Sequence, residues 1–257
     1  MSWVRIWAIA TNGFREVIRD RILYFIAFFA LLLIVASRLL PEVAATTEDK
    51  IFLDLGLGII GLLGAFVAIL VDTGLVNREI ARRTVLVLIP KPISRAELLI
   101  GKHLGLLAVL GVIVVAMTGI YFGILSWSQI SYPAGSIVVS LVYLLIELAL
   151  LVAVALAFGV FTSELLATLL TFSIYLVGHF SRFLIEVGGI SENDSFRTFT
   201  ETLYLILPDL ERLNLRNEAV YGLLPPAPEL FFNALYGVVY TVVILAIAMA
   251  IFSRREF

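Results

Sequence analysis

The sequence predicts an all-α integral membrane protein with six transmembrane helices, on the strength of its composition and of the way its apolar residues are grouped. The 257 residues are 61% hydrophobic and 15% charged, whereas soluble domains are about half apolar and a quarter charged. The apolar residues also form stretches of roughly 20, the length that a helix needs to cross a bilayer core. In water such a chain would expose large apolar patches, so a soluble fold is excluded.

Six segments have the required length, and together they predict a single transmembrane domain over residues 1–257. Lipid offers no partner to backbone N–H and C=O groups, so each segment must bond internally as a helix. Strands are excluded because no segment alternates apolar and polar residues. The predicted spans are residues 22–40, 51–76, 103–127, 137–161, 165–187 and 230–252.

The distribution of Lys and Arg predicts the orientation. Most of the 18 basic residues fall before the first span, between the second and third spans, or at the C-terminus. Because loops rich in Lys and Arg stay in the cytoplasm, both termini are expected on the cytoplasmic side. The membrane is expected to be the plasma (inner) membrane. No cleaved signal peptide is expected, because the first apolar run begins near Ile22 and is longer than a signal h-region.

Residues 2–21 precede the first span and have an amphipathic pattern. Trp3, Trp7 and Phe14 recur on one helical face, and Arg5 and Arg15 lie on the other. Such a helix is expected to lie in the cytoplasmic membrane interface. The alternative is a helix that is simply packed on the bundle.

The cytoplasmic region 77–101 is predicted to form a helix–turn–helix corner. Glu79 and Arg83 have the supportive four-residue spacing of a short helix. Pro90–Lys91–Pro92 must end that helix, since each proline removes a donor and disfavours α geometry before it. Ser94 and Glu97 then have the spacing of a capping box that starts the next helix.

The external region 188–229 is predicted to contain a second amphipathic helix. It opens on Gly188–Gly189 and closes with prolines before the sixth span. Between these ends, apolar residues at steps of three and four indicate a helix lying on the outer surface. Those residues are Phe196, Phe199, Leu203, Leu207 and Leu210.

Motifs for enzymatic chemistry are mostly missing from the sequence. Gly101–Lys102 is followed by His103 and lacks the upstream glycine of a phosphate-binding loop, so the chain cannot cradle ATP by itself. There are no cysteines, which excludes thiolate catalysis and thiolate metal sites. The two histidines fall at different membrane depths, so no catalytic residue, metal site or cofactor of the chain's own is expected.

Ionisable residues within the spans are costly and are therefore candidate functional groups. Glu147 falls near the centre of the fourth span, while His179 and Arg182 lie in the outer half of the fifth. Glu147 could contact cargo or act as a protonatable switch. Alternatively, Tyr143, His179 or Arg182 could hold it as a structural carboxylate, and this interpretation is favoured.

Small residues in the second span predict close helix packing. On a helical wheel they cover about a third of the circumference, which lets a second helix approach. Their contact could be a homodimer seam or a neighbouring helix of the same chain. The residues concerned are Gly61, Gly64, Ala65 and Ala68.

The segment 75–105, LVNREIARRTVLVLIPKPISRAELLIGKHLG, resembles the cytoplasmic signature of ABC-2-type transporter permeases. In that family an acidic and basic run after the second span leads through a Pro-x-Ser-Arg turn to a Gly-Lys helix start. Residues 12–21, NGFREVIRDR, resemble the family's interface helix, and the six-span layout agrees over the whole chain. The closest likeness is to permeases of the nitrous-oxide-reductase maturation type.

The resemblance implies a permease subunit, and export is the family's usual direction. Two permease chains, as a homodimer in membrane lipid, would pair with two copies of a separate ATP-binding subunit that carries ATP and Mg. The external amphipathic segment would form part of an outer gate, and no nucleic acid is expected as a partner. The residues implied in coupling to the ATPase are Arg78, Glu79, Arg82, Arg83, Pro90, Lys91 and Pro92.

Two other functions remain open at this point. One is a non-transporting scaffold that anchors or assembles another membrane enzyme. The other is a proton-coupled secondary transporter, which would be expected to have broken helices or repeat symmetry at the midplane. The sequence indicates neither feature, since no proline interrupts the six apolar cores.

Overall fold

The computed structural model describes residues 2–20, 22–43, 48–81, 94–190 and 193–254. Within these ranges the backbone is helical apart from short connections and contains no strand, which confirms the all-α prediction. The elements are α1 (Trp3–Asp20), α2 (Ile22–Val43), α3 (Glu48–Ala81), α4 (Arg95–Trp127), α5 (Ala134–Phe161), α6 (Glu164–His179), α7 (Ser181–Ile190), α8 (Asp194–Ile206), a 3-10 helix (Leu210–Leu213), α9 (Arg216–Tyr221) and α10 (Ala227–Arg254).

Five of the described helices, α2, α3, α4, α5 and α10, are long and apolar enough to cross a membrane. They coincide with five of the six predicted spans. The helix α3 contains 34 residues and α4 contains 33. At 1.5 Å per residue, each is about 50 Å long and exceeds a hydrocarbon core of about 30 Å. Both helices therefore extend beyond the bilayer core.

The predicted fifth span, residues 165–187, is not one helix. It consists of α6, which has 16 residues, and α7, which has ten, with a break at Phe180. The Phe180 N–H bonds back to Leu176 and Val177, a shared pattern typical of a helix end. The count of six membrane-crossing helices is therefore not confirmed, and the expectation of unbroken helices is wrong here.

The predicted short helix beginning at Arg78 is also not a separate element. Instead, α3 continues without interruption from the membrane to Ala81. Because no proline follows Lys50 before Pro90, nothing in the local sequence stops the helix at the membrane boundary. The predicted corner at Pro90–Lys91–Pro92 lies outside the described residues.

The helix α5 forms the centre of the bundle and packs against α3, α4, α6 and α10. Among the candidate spans it is the most buried, and α2 is the least. Within the bundle, side-chain hydrogen bonds join α4 to α3 and to α5. Tyr121 donates to the Leu53 carbonyl of α3 at 2.9 Å, and His103 Nε2 lies 2.9 Å from the Ala149 carbonyl of α5.

Candidate functional site

The residues implied in ATPase coupling fall at and beyond the C-terminal end of α3. Arg78 and Glu79 lie on its last turns. Arg82, Arg83 and Pro90–Lys91–Pro92 lie outside the described residues. The next described residue is Ser94, so the first described side chains after α3 are those of the turn that follows the coupling region.

Ser94 and Glu97 form the predicted capping box. The Ser94 hydroxyl accepts the Glu97 N–H at 3.1 Å, and a Glu97 carboxylate oxygen accepts the Ser94 N–H at 3.0 Å. These bonds satisfy backbone donors that the first turn of α4 would otherwise leave open. The helix therefore begins at Arg95, directly after the predicted N-cap Ser94, and Gly101–Lys102 lies on its second turn.

Glu97 also holds the start of α1. Its second carboxylate oxygen accepts the backbone N–H of Ser2 at 2.6 Å, and Arg5 lies 3.9 Å from the same carboxylate group. The side chain of Glu97 is only 3% exposed. One carboxylate thus joins the first residues of the chain to the helix that leaves the coupling region.

Arg95 holds the other end of the chain. Its guanidinium donates to the backbone carbonyls of Phe252 and Ser253 at the end of α10, and it lies 5.5 Å from the centre of the Phe252 ring. A cation at a helix C-terminus satisfies unbonded carbonyls and offsets the negative end of the helix dipole. The single turn Ser94–Glu97, at the start of α4, therefore contacts both α1 and α10.

The helix α1 lies directly on α4. A Cβ atom added to Gly101 would come within 2.8 Å of Ile9, and one added to Gly105 within 2.7 Å of the Ala10 carbonyl. Ile6 and Ala10 are buried in this contact, whereas Trp3 and Trp7 are 78% and 74% exposed. The helix thus packs on the bundle with one apolar face and leaves a second uncovered. Its placement in the membrane interface stays a prediction.

A second group of polar side chains lies inside the bundle. Glu147, midway along α5 and 3% exposed, faces His179 at the end of α6. Glu147 Oε1 lies 3.4 Å from His179 Nε2. The other ring nitrogen, Nδ1, lies 3.0 Å from the Tyr175 carbonyl one turn earlier. Arg182, the third intramembrane group predicted from the sequence, belongs to α7, and its pairing stays a prediction.

Part of the external region folds down onto this pair. Residues 208–222, here called the inward segment, comprise Pro208, the 3-10 helix, α9 and their connections. They pack against α3, α5, α6 and α10. The sequence predicts an outer-surface helix that extends to Leu210, whereas most apolar side chains of the inward segment are buried. These side chains are Leu210, Leu213, Leu215, Ala219 and Val220.

The inward segment brings charged groups to the level of Glu147. Arg216 and Glu211 lie within electrostatic range of the Glu147 carboxylate. They are linked through Asn214, which accepts from Arg216 Nε at 2.8 Å and donates to Glu211 at 3.1 Å. The Arg216 guanidinium lies 3.4 Å from the position of a Cβ on Gly61, about 16 Å along α3 from Lys50.

The two ends of the inward segment are fastened at the outside of the bundle. Asp209 accepts hydrogen bonds from Ser181 at 2.8 Å and from Arg212 at 2.9 Å, and its own N–H donates to Tyr236 of α10 at 2.9 Å. At the other end, Lys50 of α3 donates to the Val220 carbonyl at 3.0 Å. Hydrogen bonds with the Tyr204 hydroxyl and with Asp209 raise the pKa of Arg212 above its ordinary value.

The small residues of α3 face helices of the same chain. A Cβ on Gly64 would come within 2.9 Å of Leu148 of α5, and Gly61 lies against Leu144 and Arg216. Ala65 and Ala68 are also buried on this helix. The packing surface predicted from the sequence is therefore where α5 and the inward segment approach α3.

Comparison with protein families gives a match that covers almost the whole chain. A model described as ABC-2 family transporter protein matches residues 7–257. The chain belongs to the ABC-2 transporter family. This match confirms the family resemblance of the segment 75–105, though not the nitrous-oxide-reductase maturation type. Comparison with curated proteins finds no match.

Membership of the ABC-2 family, together with the five long apolar helices, makes the chain a multi-pass membrane protein and agrees with a transporter permease. It implies partnership with an ATP-binding subunit, because the sequence contains no phosphate-binding loop. Among the described residues, no three His, Cys, Asp or Glu side chains lie close enough to hold a metal ion.

Sequence reasoning missed the contacts of Arg95 and of the inward segment. The inward segment carries Asp209, Arg212 and Arg216, which lie next to leucines that are buried in the structure. The charged residues favour an external loop, and only the leucines indicated burial. Pro208 could have indicated the change of direction, because a proline ends the surface helix α8 near Ile206. The partners, such as Ser181 and Tyr236, come from other helices and had no local signal.

Proposed function

We propose that the chain is the permease subunit of an ATP-driven exporter whose ATP is hydrolysed by a separate subunit. The observation that carries this proposal is the family match over residues 7–257, in a chain that lacks a phosphate-binding loop. Two permease chains as a homodimer and two ATPase copies, the latter carrying ATP and Mg, would form the complex. Both termini would lie in the cytoplasm and the domain in the plasma membrane.

The cytoplasmic contacts support a route for coupling. The proposed contact with the ATPase runs from Arg78 on α3 to Pro92, just before the Ser94–Glu97 turn. That turn bonds to α1 through Glu97 and to α10 through Arg95. A push on the coupling region would then move α3, α4, α1 and the end of α10 together, since all of them are joined beside it.

The inward segment supports a route for opening to the outside. It lies between α3, α5, α6 and α10 and is fastened by Asp209 at one end and Lys50 at the other. An outer gate built from this segment would open when these polar contacts part. The segment is better suited to this role than α8, because its apolar side chains are buried in the bundle.

The test is purification of the tagged chain in mild detergent, identification of its partners by mass spectrometry and assay of ATP hydrolysis. We expect an ATP-binding subunit to co-purify. Charge reversal of Arg82 and Arg83 to Glu should remove the association and the associated ATPase activity. The matched control reverses Arg38 and Arg197, two exposed arginines on the predicted external side, and should change neither.

The proposal fails if the Arg82 and Arg83 reversal inserts normally and keeps full ATPase activity. It also fails if only another membrane enzyme co-purifies and no ATPase is present. In that second case the chain would act as a scaffold, and the family's coupling mechanism would not apply to it.

A further inference from the structure

The ring of His179 is held in a way that fixes one of its protons. Its Nδ1 lies 3.0 Å from the backbone carbonyl of Tyr175. A carbonyl oxygen only accepts hydrogen bonds, so Nδ1 must carry a hydrogen. In a neutral imidazole one nitrogen donates and the other bears a lone pair. A neutral His179 would therefore present the lone pair of Nε2.

That second nitrogen points at a carboxylate. Nε2 lies 3.4 Å from Glu147 Oε1, is buried, and has no hydrogen-bond partner among the described residues. A lone pair facing an ionised carboxylate oxygen would be repulsive, and in a site of low dielectric that repulsion is strong. A proton between the two atoms turns the contact into an attraction, whether it resides on nitrogen or on oxygen.

The surrounding charges lead to the same requirement. The groups that act on Glu147 are His179 from α6, Arg216 from α9 and Glu211 from the 3-10 helix. Tyr175 of α6 contributes a neutral hydroxyl. The nearby faces of α3 and α10 contribute Gly61, Gly64 and Gly237. On α4, His103 contacts α5 at the Ala149 carbonyl. On α5 itself, the Tyr143 hydroxyl donates to the Leu230 carbonyl.

Two carboxylates and one guanidinium leave a single negative charge in the cluster. Glu147 is buried, whereas Arg216 and Glu211 are half-buried, and an uncompensated charge on a buried carboxylate costs several kcal/mol. One additional proton on the pair of Glu147 and His179 makes the four ionisable groups neutral together. Arg216 and Glu211 already offset each other through Asn214, so the proton belongs with the pair on α5 and α6.

We propose that Glu147 and His179 form an intramembrane proton-binding site that holds one proton between Glu147 Oε1 and His179 Nε2. The ligand is a proton, and the site lies at mid-membrane beneath the inward segment. The inward segment carries Arg216 and Glu211 to the Glu147 side of the pair, so movement of residues 208–222 would change the surroundings of the proton. The site stands on the geometry of the ring and does not depend on the proposed ATPase partnership.

The test uses nitrogen NMR of the full chain in lipid nanodiscs, with all histidines labelled. The sequence has only two histidines, so the spectrum is simple. His179→Gln assigns the signals, and His103 serves as an internal reference. We expect the pair to hold one proton, either as a His179 that carries hydrogen on both nitrogens or as a neutral His179 beside a protonated Glu147. Glu147→Gln should abolish that doubly protonated signal, while His103→Gln should leave it in place.

Each outcome decides the proposal. Labelled glutamate in the same sample distinguishes the two forms of the shared proton. A doubly protonated His179, or a neutral His179 facing a protonated Glu147, supports the site. A neutral His179 facing an ionised Glu147 between about pH 6 and pH 8 overturns it. If Glu147→Gln does not fold, wild-type protein and His179→Gln still give this answer, and neither requires a working ATPase.

Discussion

Among single changes in the Ser94–Glu97 turn, replacing Glu97 by alanine should most weaken the packing of the first turns of α1 on α4. The carboxylate accepts backbone N–H groups from Ser2 at 2.6 Å and from Ser94 at 3.0 Å. A hydrogen bond to a charged group contributes about 1.5–3 kcal/mol. Only the Ser2 bond joins α1 to α4, so we expect the contact of α1 to lose about 1.5–3 kcal/mol.

Thiol labelling can follow this change, because Ile6 of α1 is buried against α4 and the sequence contains no cysteine. With a cysteine placed at position 6 and the protein in nanodiscs, the rate of labelling by an aqueous thiol reagent reports the population of detached α1. A change of about 1.5–3 kcal/mol corresponds to roughly a 10- to 150-fold shift in that equilibrium.

Two variants of the same turn serve as controls. Ser94→Ala removes only the N-cap of α4, worth about 1 kcal/mol, and should leave α1 in place. Glu97→Gln keeps a neutral acceptor and should fall between wild type and Glu97→Ala. If Ser94→Ala raises labelling at position 6 as much as Glu97→Ala does, the carboxylate does not hold α1 in place.

Three further changes separate the remaining contacts. Gly105→Ala should lower the thermal unfolding midpoint, because the added Cβ would come within 2.7 Å of the Ala10 carbonyl; overpacking of this kind costs about 1–3 kcal/mol. Glu147→Leu should destabilise the chain by about 1–3 kcal/mol, since it leaves the buried Nε2 of His179 facing an apolar side chain, whereas Glu147→Gln should be tolerated in the same unfolding assay. Asp209→Ala should raise the rate at which a thiol reagent labels a cysteine placed at buried Leu213, because the outer fastening of the inward segment is lost.

Each of these changes has a matched control. Gly111→Ala adds a Cβ with nothing within 4 Å and should stabilise α4 by up to about 1 kcal/mol, so equal effects at Gly105 and Gly111 would argue against close packing of α1. Glu201→Ala removes an exposed carboxylate paired with Arg197 and should not change labelling at Leu213. Equal stability of Glu147→Leu and Glu147→Gln would exclude the buried network. The chain contains no cysteine of its own, so labelling reports only the introduced residue.

The parts of the fold that could be predicted from the sequence are those set by local physics. Apolar stretches long enough for a bilayer gave five of the helices, and their ends agree within a few residues where Pro41 or Trp127 lies nearby. The capping box of Ser94 and Glu97 was predictable because its partners are three residues apart. Spacing within one turn is readable without knowing the rest of the structure.

The break at Phe180 and the inward segment could not be predicted, because both depend on contacts between distant residues. Gly178 leaves room for Leu210 and Pro208, whose atoms would lie within 3.0 Å of an added Cβ. Ser181, directly after the break, bonds to Asp209. The apolar pattern of residues 165–187 is compatible with a continuous helix, so only the arrival of the inward segment reveals why the helix ends there.

The helix α3 connects the two candidate sites. Lys50, near its outer end, bonds to the Val220 carbonyl of the inward segment, and Gly61 lies beside the Arg216 guanidinium. Its C-terminal end carries Arg78 and enters the proposed coupling region. An uninterrupted helix of 34 residues transmits displacement along its axis with little bending, because each turn is held by backbone hydrogen bonds. Movement of the coupling region would therefore displace α3 against the inward segment. The packing of that segment near Glu147 and His179 would then change.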